Sequence, residues 1–536
     1  MNKIYFDAYK LISIPGGSRF PDANRALNDA IDKGSLIVNY TGHGGEAGWS
    51  YEQVLTTADI LSWKNAAKLP VFVTATCEFS RFDNPERYTA GEMLINQPNG
   101  GAIALYSTTR LAFAGYNILL NTSFFQHLMD KDADGSYIKM GDLIRLSKND
   151  NENNFQLRNF SLLGDPAQSI AFSGYNVKTI SINGQSLNSP DTVKGMSTVT
   201  VKGQIENGGG QKINNFKGVI NCKVFDKPVT NTTLGNRPGL DGSYPESFKL
   251  QTSLLFKGDV PVDSGEFSVT FILPKNISLQ YGKGKLSYFA YNDEMQASGY
   301  TNQIVIGGRD ESVNPDNKGP EISLYLDDRT FVNGGKIGSA AILLADLFDT
   351  NGVNSLGLGI GHEIEAVLDN DRSNAMVLND FYAPVFNSFT RGTLAFPLSG
   401  LSPGSHTLTL KAWDMFDNSS VKEIRFYVPD HPGLTVKNVM TAPNPLVDHT
   451  DFIFQPQQAE NGGLNVQIAI YNLQGIQVRT LAQTYPEPLI VSPKISWDGT
   501  DFNGHRLNNG IYPYKIIFKA KNGAYSETSQ KLMIMR

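Results

Sequence analysis

Three near-continuous apolar runs, Leu36 to Tyr40, Val71 to Ala75 and Gly101 to Tyr106, punctuate the first third of the chain. Short apolar runs bounded by polar or glycine-rich stretches predict strands buried on both faces, the habit of parallel sheets. Between the runs, apolar residues recur at helical spacing. A helix opened by Pro21-Asp22-Ala23-Asn24 runs to Ile31 and is ended by Gly34. Thr57 to Leu61 predicts a helical turn, Arg87 to Asn96 a helix, and Tyr116 to Met129 and Lys139 to Asn149 two amphipathic helices. The opening residues Met1 to Asp7 read as a further strand, and Phe160 to Pro166 closes the unit. Alternating strands and helices over residues 1–172 predict an α/β domain with a parallel sheet covered on both faces.

From Tyr175 onward the helical period disappears. Short alternating runs broken by Gly, Asn, Asp and Pro predict all-β sandwich modules. Three are expected, over 173–310, 318–430 and 433–536, with a polar linker at 307–319 and a hinge at Asp430-His431-Pro432-Gly433. The predicted fold class is therefore multidomain: an α/β parallel-sheet domain followed by three Ig-like β-sandwich modules.

Composition narrows the function. The chain has 536 residues, 40% hydrophobic and 18% charged, which is enough apolar content for several cores. A net charge of −6, with no basic stripe interleaved with aromatics, argues against a nucleic-acid binder. No apolar run approaches the roughly 18 residues of a membrane span. Only two cysteines occur, Cys77 and Cys222. Cys222 sits in the strand-like Gly218 to Val224 and carries no expected chemistry.

Two of the apolar runs end in reactive side chains. The first runs into Asn39-Tyr40-Thr41-Gly42-His43-Gly44-Gly45, and the second into Thr76-Cys77-Glu78-Phe79. If these strands are parallel neighbours, imidazole and thiol emerge together at their carboxyl ends, where α/β sheets place their chemistry. A thiol attacks as its thiolate, and a neighbouring His takes the proton and later returns it to the leaving amine. The backbone N–H groups of Gly44 and Cys77 are expected to form the oxyanion hole. Taken singly, His43 reads as a turn residue and Cys77 as a buried strand end; on successive strands 34 residues apart they point to catalysis.

Other residues are candidates around this pair. Trp49 is either a pocket wall or packing beneath the loop. Glu78 and Asp83 could line the substrate site and favour a basic residue, although next to Cys77 they would disfavour the thiolate. Asp130, Asp132 and Asp134 match the first half of an EF-hand loop, but the twelfth position is Gly141, so a structural calcium competes with a solvated turn. No cofactor is required. His127, His362, His406, His431, His449 and His505 have no companions at metal-ligand spacing and read as structural.

The motifs around His43 and Cys77, with the closing Leu162-Leu163-Gly164-Asp165-Pro166, resemble the gingipain-type cysteine peptidases. The resemblance implies a caspase-like catalytic domain and covers residues 1–170, with the β modules matched in architecture. Within the family, Leu36 to Gly45 and Thr74 to Asp83 are most similar to the C-terminal-signal peptidase, or sortase, of the type IX secretion system of Bacteroidetes. Ala442-Pro443-Asn444-Pro445, Val466 to Gly475, Trp497 to Gly504 and Asn509 to Tyr514 resemble the β-sandwich tail by which cargo of that system is sorted, a relative of hook-cap Ig-like modules. The implied substrates are proteins bearing C-terminal sorting domains. The implied partners are outer-membrane secretion components and a lipopolysaccharide acceptor, and the implied place is the extracellular face of the outer membrane. The family's catalytic domain extends further N-terminal and supplies there the acid that orients its His. The resemblance therefore implies an N-terminally truncated domain, with Asp7 a substitute candidate for that acid. A secreted peptidase that is itself cargo, and a non-catalytic surface binding module, are the alternatives.

Overall fold

The computed structural model describes residues 2–151, 155–187, 192–237, 242–313, 317–430, 434–457, 463–485, 493–521 and 523–536. The chain divides into two compact units. The first comprises Met1–Phe172 together with Val229–Leu250, and the second comprises Ser173–Pro228 and Gln251–Arg536.

The first unit is built on a four-stranded sheet of β1 (Ile37–Thr41), β2 (Val71–Ala75), β3 (Ala104–Thr108) and β4 (Phe160–Leu163), in that spatial order. β1, β2 and β3 are parallel, whereas β4 pairs with β3 antiparallel, Leu105 opposite Leu163. The sheet is thus mixed, with one antiparallel edge strand on the expected parallel core. Its two faces follow the period of two along each strand. Phe72 and Leu105 face a core with Leu27, Ile31 and Trp63, while Val71, Val73, Ala104 and Tyr106 face Leu120, Phe124 and Leu143. Helix α1 (Pro21–Lys33) covers the first face, and α4 (Ala114–His127) and α5 (Met140–Asn149) cover the second.

Helix limits follow local chemistry. α1 starts with Pro21 in its first turn and stops at Gly34, whose φ of +94° suits glycine. Helices α2 (Thr57–Ser62) and α3 (Ala90–Asn96) each open on a capping box, Thr56 with Asp59 and Thr89 with Glu92. The cap at Thr89 explains why α3 begins three residues later than the sequence period suggests. The opening strand expected over Met1 to Asp7 is instead a 3₁₀ turn at Phe6–Ala8. A hairpin from far along the chain, Val229–Thr232 paired with Ser247–Leu250, belongs to this unit.

The second unit is β throughout apart from two 3₁₀ turns among its described residues. Strands between Tyr175 and Thr301 form one large sheet in which Tyr175–Ile182 also pairs, in parallel, with Gln296–Thr301. The sheet therefore closes on itself as a ring. Two facing open sheets were expected there, and the closing pair is the difference. The start of the predicted linker is also structured, since Val305–Arg309 is a strand. Residues 321–428 form two four-stranded sheets around one core that includes Leu343, Leu394, Leu410 and Phe426. Residues 435–534 form a three-stranded and a four-stranded sheet around Phe452, Val466, Tyr514 and Phe518. Residues 431–433 of the predicted hinge, His431 among them, lie outside the described residues.

Candidate active site

The register of β1 on β2 decides what the site contains. Thr41 lies directly beside Ala75 at the carboxyl ends of the two strands. His43 is two residues beyond Thr41, and Cys77 two residues beyond Ala75. Adjacent strands run roughly 4.8 Å apart, so the two loops leave the sheet side by side.

Several contacts hold the loops together. Gly42 N–H donates to Ala75 O at 3.3 Å. A Cβ on Gly44 would lie 2.6 Å from Thr76 Oγ1, so the His43 loop rests against the residue preceding Cys77. α3 ties both loops from below. Ala90 N–H donates to Glu46 O at 2.7 Å, and Gly91 N–H to Phe79 O at 2.9 Å. Asn121 Nδ2 on α4 donates to Thr41 Oγ1 at 2.8 Å, and Asn117 Nδ2 donates to Ala75 O at 3.3 Å, bracing both strand ends.

The turn around His43 is folded back on itself. Tyr40 Oη donates to His43 O at 2.6 Å, and Ser50 N–H donates to the same carbonyl at 2.7 Å. Burial pushes the Tyr40 phenol upward, so it stays a donor at neutral pH. Gly44–Gly45 pairs antiparallel with Gly48–Trp49, Gly44 opposite Trp49. Because the bonded position is His43 with Ser50, the alternation of an antiparallel ladder turns Gly44 N–H away from the Gly48–Trp49 strand. This is the donor expected for an oxyanion.

The His43 side chain is exposed, and its ring centroid is 5.7 Å from that of the exposed Tyr51. Among the described residues no carboxylate hydrogen-bonds its ring. Cys77 is partly buried and free. Its Sγ is 3.4 Å from Ala112 O and 3.5 Å from Ala112 N, in the loop after β3. The chain turns sharply after the thiol: Glu78 has a φ of +49°, and its N–H donates to Arg110 O.

The surrounding candidates are redistributed. Trp49 is only 2% exposed and stacks on Tyr40 with ring centroids 4.2 Å apart, against Phe72 and Phe79. It supports the loop from beneath and does not wall a pocket. Glu78 is paired with Arg81 at 3.2 Å, and Asp83 with Arg110 at 2.5 Å. The Arg110 guanidinium holds the Asp83 carboxyl below the usual carboxylate range. Glu46, Glu78, Arg81, Asn84, Glu86 and Arg87 line a polar depression of about 420 Å³. Glu46, Asn84 and Arg81 close this side of the site through contacts that no local sequence pattern signals.

Asp7 is engaged elsewhere. Its carboxylate accepts from Gly235 N–H at 2.8 Å, Asn236 N–H at 2.9 Å and Asn236 Nδ2 at 2.8 Å. Partial burial opposes its charge, but these donors prevail and hold its pKa below the ordinary value. It anchors the Val229–Leu250 hairpin and does not orient His43. The acidic triplet is not gathered as a ligand set either. Asp130 bonds His127 at 2.6 Å, while Asp134 accepts from Ser136 N–H. Among the described residues no group of three His, Cys, Asp or Glu side chains is placed to hold a metal ion. His127 also contacts Asp150, His406 is bonded to Asp369, and His362 stacks on Trp413. Cys222 is fully buried in the ring's core, where burial pushes its thiol up.

The profile of Peptidase family C25 matches residues 1–171. Residues 1–171 are thus similar to a family of cysteine-type peptidases. Among solved structures, dimeric latent PorU from Porphyromonas gingivalis is 24% identical with a TM-score of 0.36; the match covers 98% of this chain and 47% of that one. The chain thus spans about half the length of that structure. The complex of the pro- and mature domains of RgpB from P. gingivalis is 15% identical over 52% of this chain and 57% of that one, with a TM-score of 0.26. The Arg-specific cysteine proteinase gingipain R is 16% identical over 52% of this chain and 56% of that one, with a TM-score of 0.25. Comparison with the curated proteins gives no match. Among the described residues no helix is long and apolar enough to cross a membrane.

Proposed function

We propose that the chain is a cysteine endopeptidase and transpeptidase of PorU type, which removes C-terminal sorting domains from type IX secretion cargo at the cell surface. The observation that carries the reading is the equal two-residue offset of His43 and Cys77 beyond a strand pair in register. The Cys77 thiol gives its proton to His43, and Sγ attacks the carbonyl before the cargo's tail, forming a C–S bond. The N–H groups of Gly44 and Cys77 hold the oxyanion; one such donor is worth about 2.7–4 kcal/mol in a comparable site. As the C–N bond breaks, His43 returns the proton to the leaving amine. The acyl-enzyme passes to water, or to an amine on a surface glycolipid, which joins cargo to lipopolysaccharide. Support for the address comes from the tail-like motifs after Ala442 and from the family that residues 1–171 match.

The test is Cys77→Ala in the native host, with cargo tails followed by mass spectrometry. Cargo is expected to keep its tail. Tail removal at the normal rate would defeat the reading. A second reading, a binding platform without turnover, draws on the absence of a carboxylate at the His43 ring among the described residues. It requires Cys77 to react with iodoacetamide no faster than a free cysteine thiol at the same pH.

A further inference from the structure

The nucleophile sits between two different neighbours. Sheet order β1-β2-β3 places the His43 loop on one side of Cys77 and the loop following β3 on the other. The two sides differ in chemistry. Toward β3, Ala112 touches Sγ through both its N–H and its carbonyl, and the residues flanking it, Leu111 and Phe113, are each 68% exposed. Two large apolar side chains held open to water beside a nucleophilic sulfur cost free energy unless something covers them. The carboxylates nearby do not offer a counter-charge, because Glu46, Glu78 and Asp83 already carry Arg81, Arg87 or Arg110.

The reaction assigns the two sides. His43 must reach the leaving amine to protonate it, so the amine half of the substrate lies toward β1. The acyl half, with the side chain of the residue whose carbonyl is attacked, then falls toward β3. We propose that Leu111 and Phe113 form the subsite for that side chain and select a large apolar residue, aromatic or branched aliphatic, rather than a basic one. This rests on the peptidase reading above and adds to it the residue class at the cleaved bond.

The test uses the full chain and three peptidyl chloromethyl ketones ending in Phe, Ala or Arg. In each, Sγ of Cys77 displaces chloride from the methylene carbon; a C–S bond forms, a C–Cl bond breaks, and the thiol proton leaves through His43. Alkylation of Cys77 is timed by intact mass and peptide mapping. The Phe reagent is expected to react about 10–100-fold faster than the Ala or Arg reagent, the range one apolar pocket supplies. Phe113→Ser and Leu111→Ser should each bring the Phe-to-Ala ratio toward unity, and Phe113→Leu should preserve it. An Arg reagent as fast as the Phe reagent, or a Phe preference that survives both serine variants, overturns the subsite. Iodoacetamide alkylation of Cys77 no faster than of a free cysteine thiol at the same pH overturns the peptidase reading, and the subsite falls with it.

Discussion

Gly44 is the residue on which the site closes. A Cβ there would lie 2.6 Å from Thr76 Oγ1 and 2.9 Å from Gly48 O, the second of which is backbone and does not rotate away. Gly44→Ala must therefore push the His43 loop off the Cys77 loop. A misplacement near 1 Å costs on the order of 10²-fold in rate, so kcat/KM on a peptide should fall by about that factor. Gly45→Ala, where a Cβ meets nothing within 4 Å, should change it only a few-fold; equal losses would refute the steric argument. Tyr40→Phe tests the fold-back of the same turn. Losing the 2.6 Å hydrogen bond to His43 O should destabilise the first unit by about 1 kcal/mol, read from its denaturation midpoint. His43 and Cys77 were legible in the sequence because each ends an apolar run at a turn. Ala112, Ala90 and Gly91 were not, because they act through backbone groups, and an alanine's N–H leaves no trace in its side chain. Trp49 looked the same whether it walled a cleft or filled the space beneath it; only its stacking on Tyr40 decides.

At the scale of elements, periodicity located the strands that matter and missed those made by long-range pairing. β2 and β3 are buried along their whole length and stand out, whereas β1, expected to be buried on both faces, is an edge strand that buries only Tyr40. β4 is four residues long, and nothing in Phe160–Leu163 says that it runs antiparallel beside β3. The Val229–Leu250 hairpin was less legible still, since its anchor, Asp7, is more than 220 residues away along the chain. That anchor makes a pH prediction. The folded pKa of Asp7 is lowered, so its stabilisation is full above the unfolded value of about 3.9 and is lost as pH falls through the folded value. Amide-exchange protection of Gly235 and Asn236 should therefore be greater in the wild type than in Asp7→Ala at pH 6. The difference should shrink toward zero as the pH is taken well below 4. A difference that persists at low pH would mean that the carboxylate charge does not hold the hairpin.

At the scale of the molecule, the last two sandwiches of the second unit meet around a buried charge. Ile342, Leu344 and Ala395 of one pack beneath Tyr471 and Leu473 of the other, which gives the junction an apolar floor. Beside them, the Glu527 side chain is 1% exposed. It accepts from Ala340 N–H at 2.8 Å and from Tyr525 Oη, and it lies 3.4 Å from Lys515 Nζ, which also reaches Asp327 at 3.0 Å. Gly338 passes so close that any Cβ would overlap the Glu527 carboxylate. Each sandwich's pattern was visible in its own alternation, but this junction was not, because Asp327 and Lys515 are 188 residues apart. Removing one member of a buried pair strands the other charge, which costs about 3–5 kcal/mol, whereas removing both charges is often close to neutral. Lys515→Met should therefore speed amide exchange in Tyr525–Ile534 by on the order of 10²-fold or more, the factor that such a loss implies if exchange proceeds through local opening. Lys515→Met combined with Glu527→Gln keeps an acceptor for Ala340 N–H and has no buried charge left to strand, so it should recover most of the protection. If the double variant exchanges as fast as the single one, the junction is held by its apolar floor and the ion pair is incidental to it.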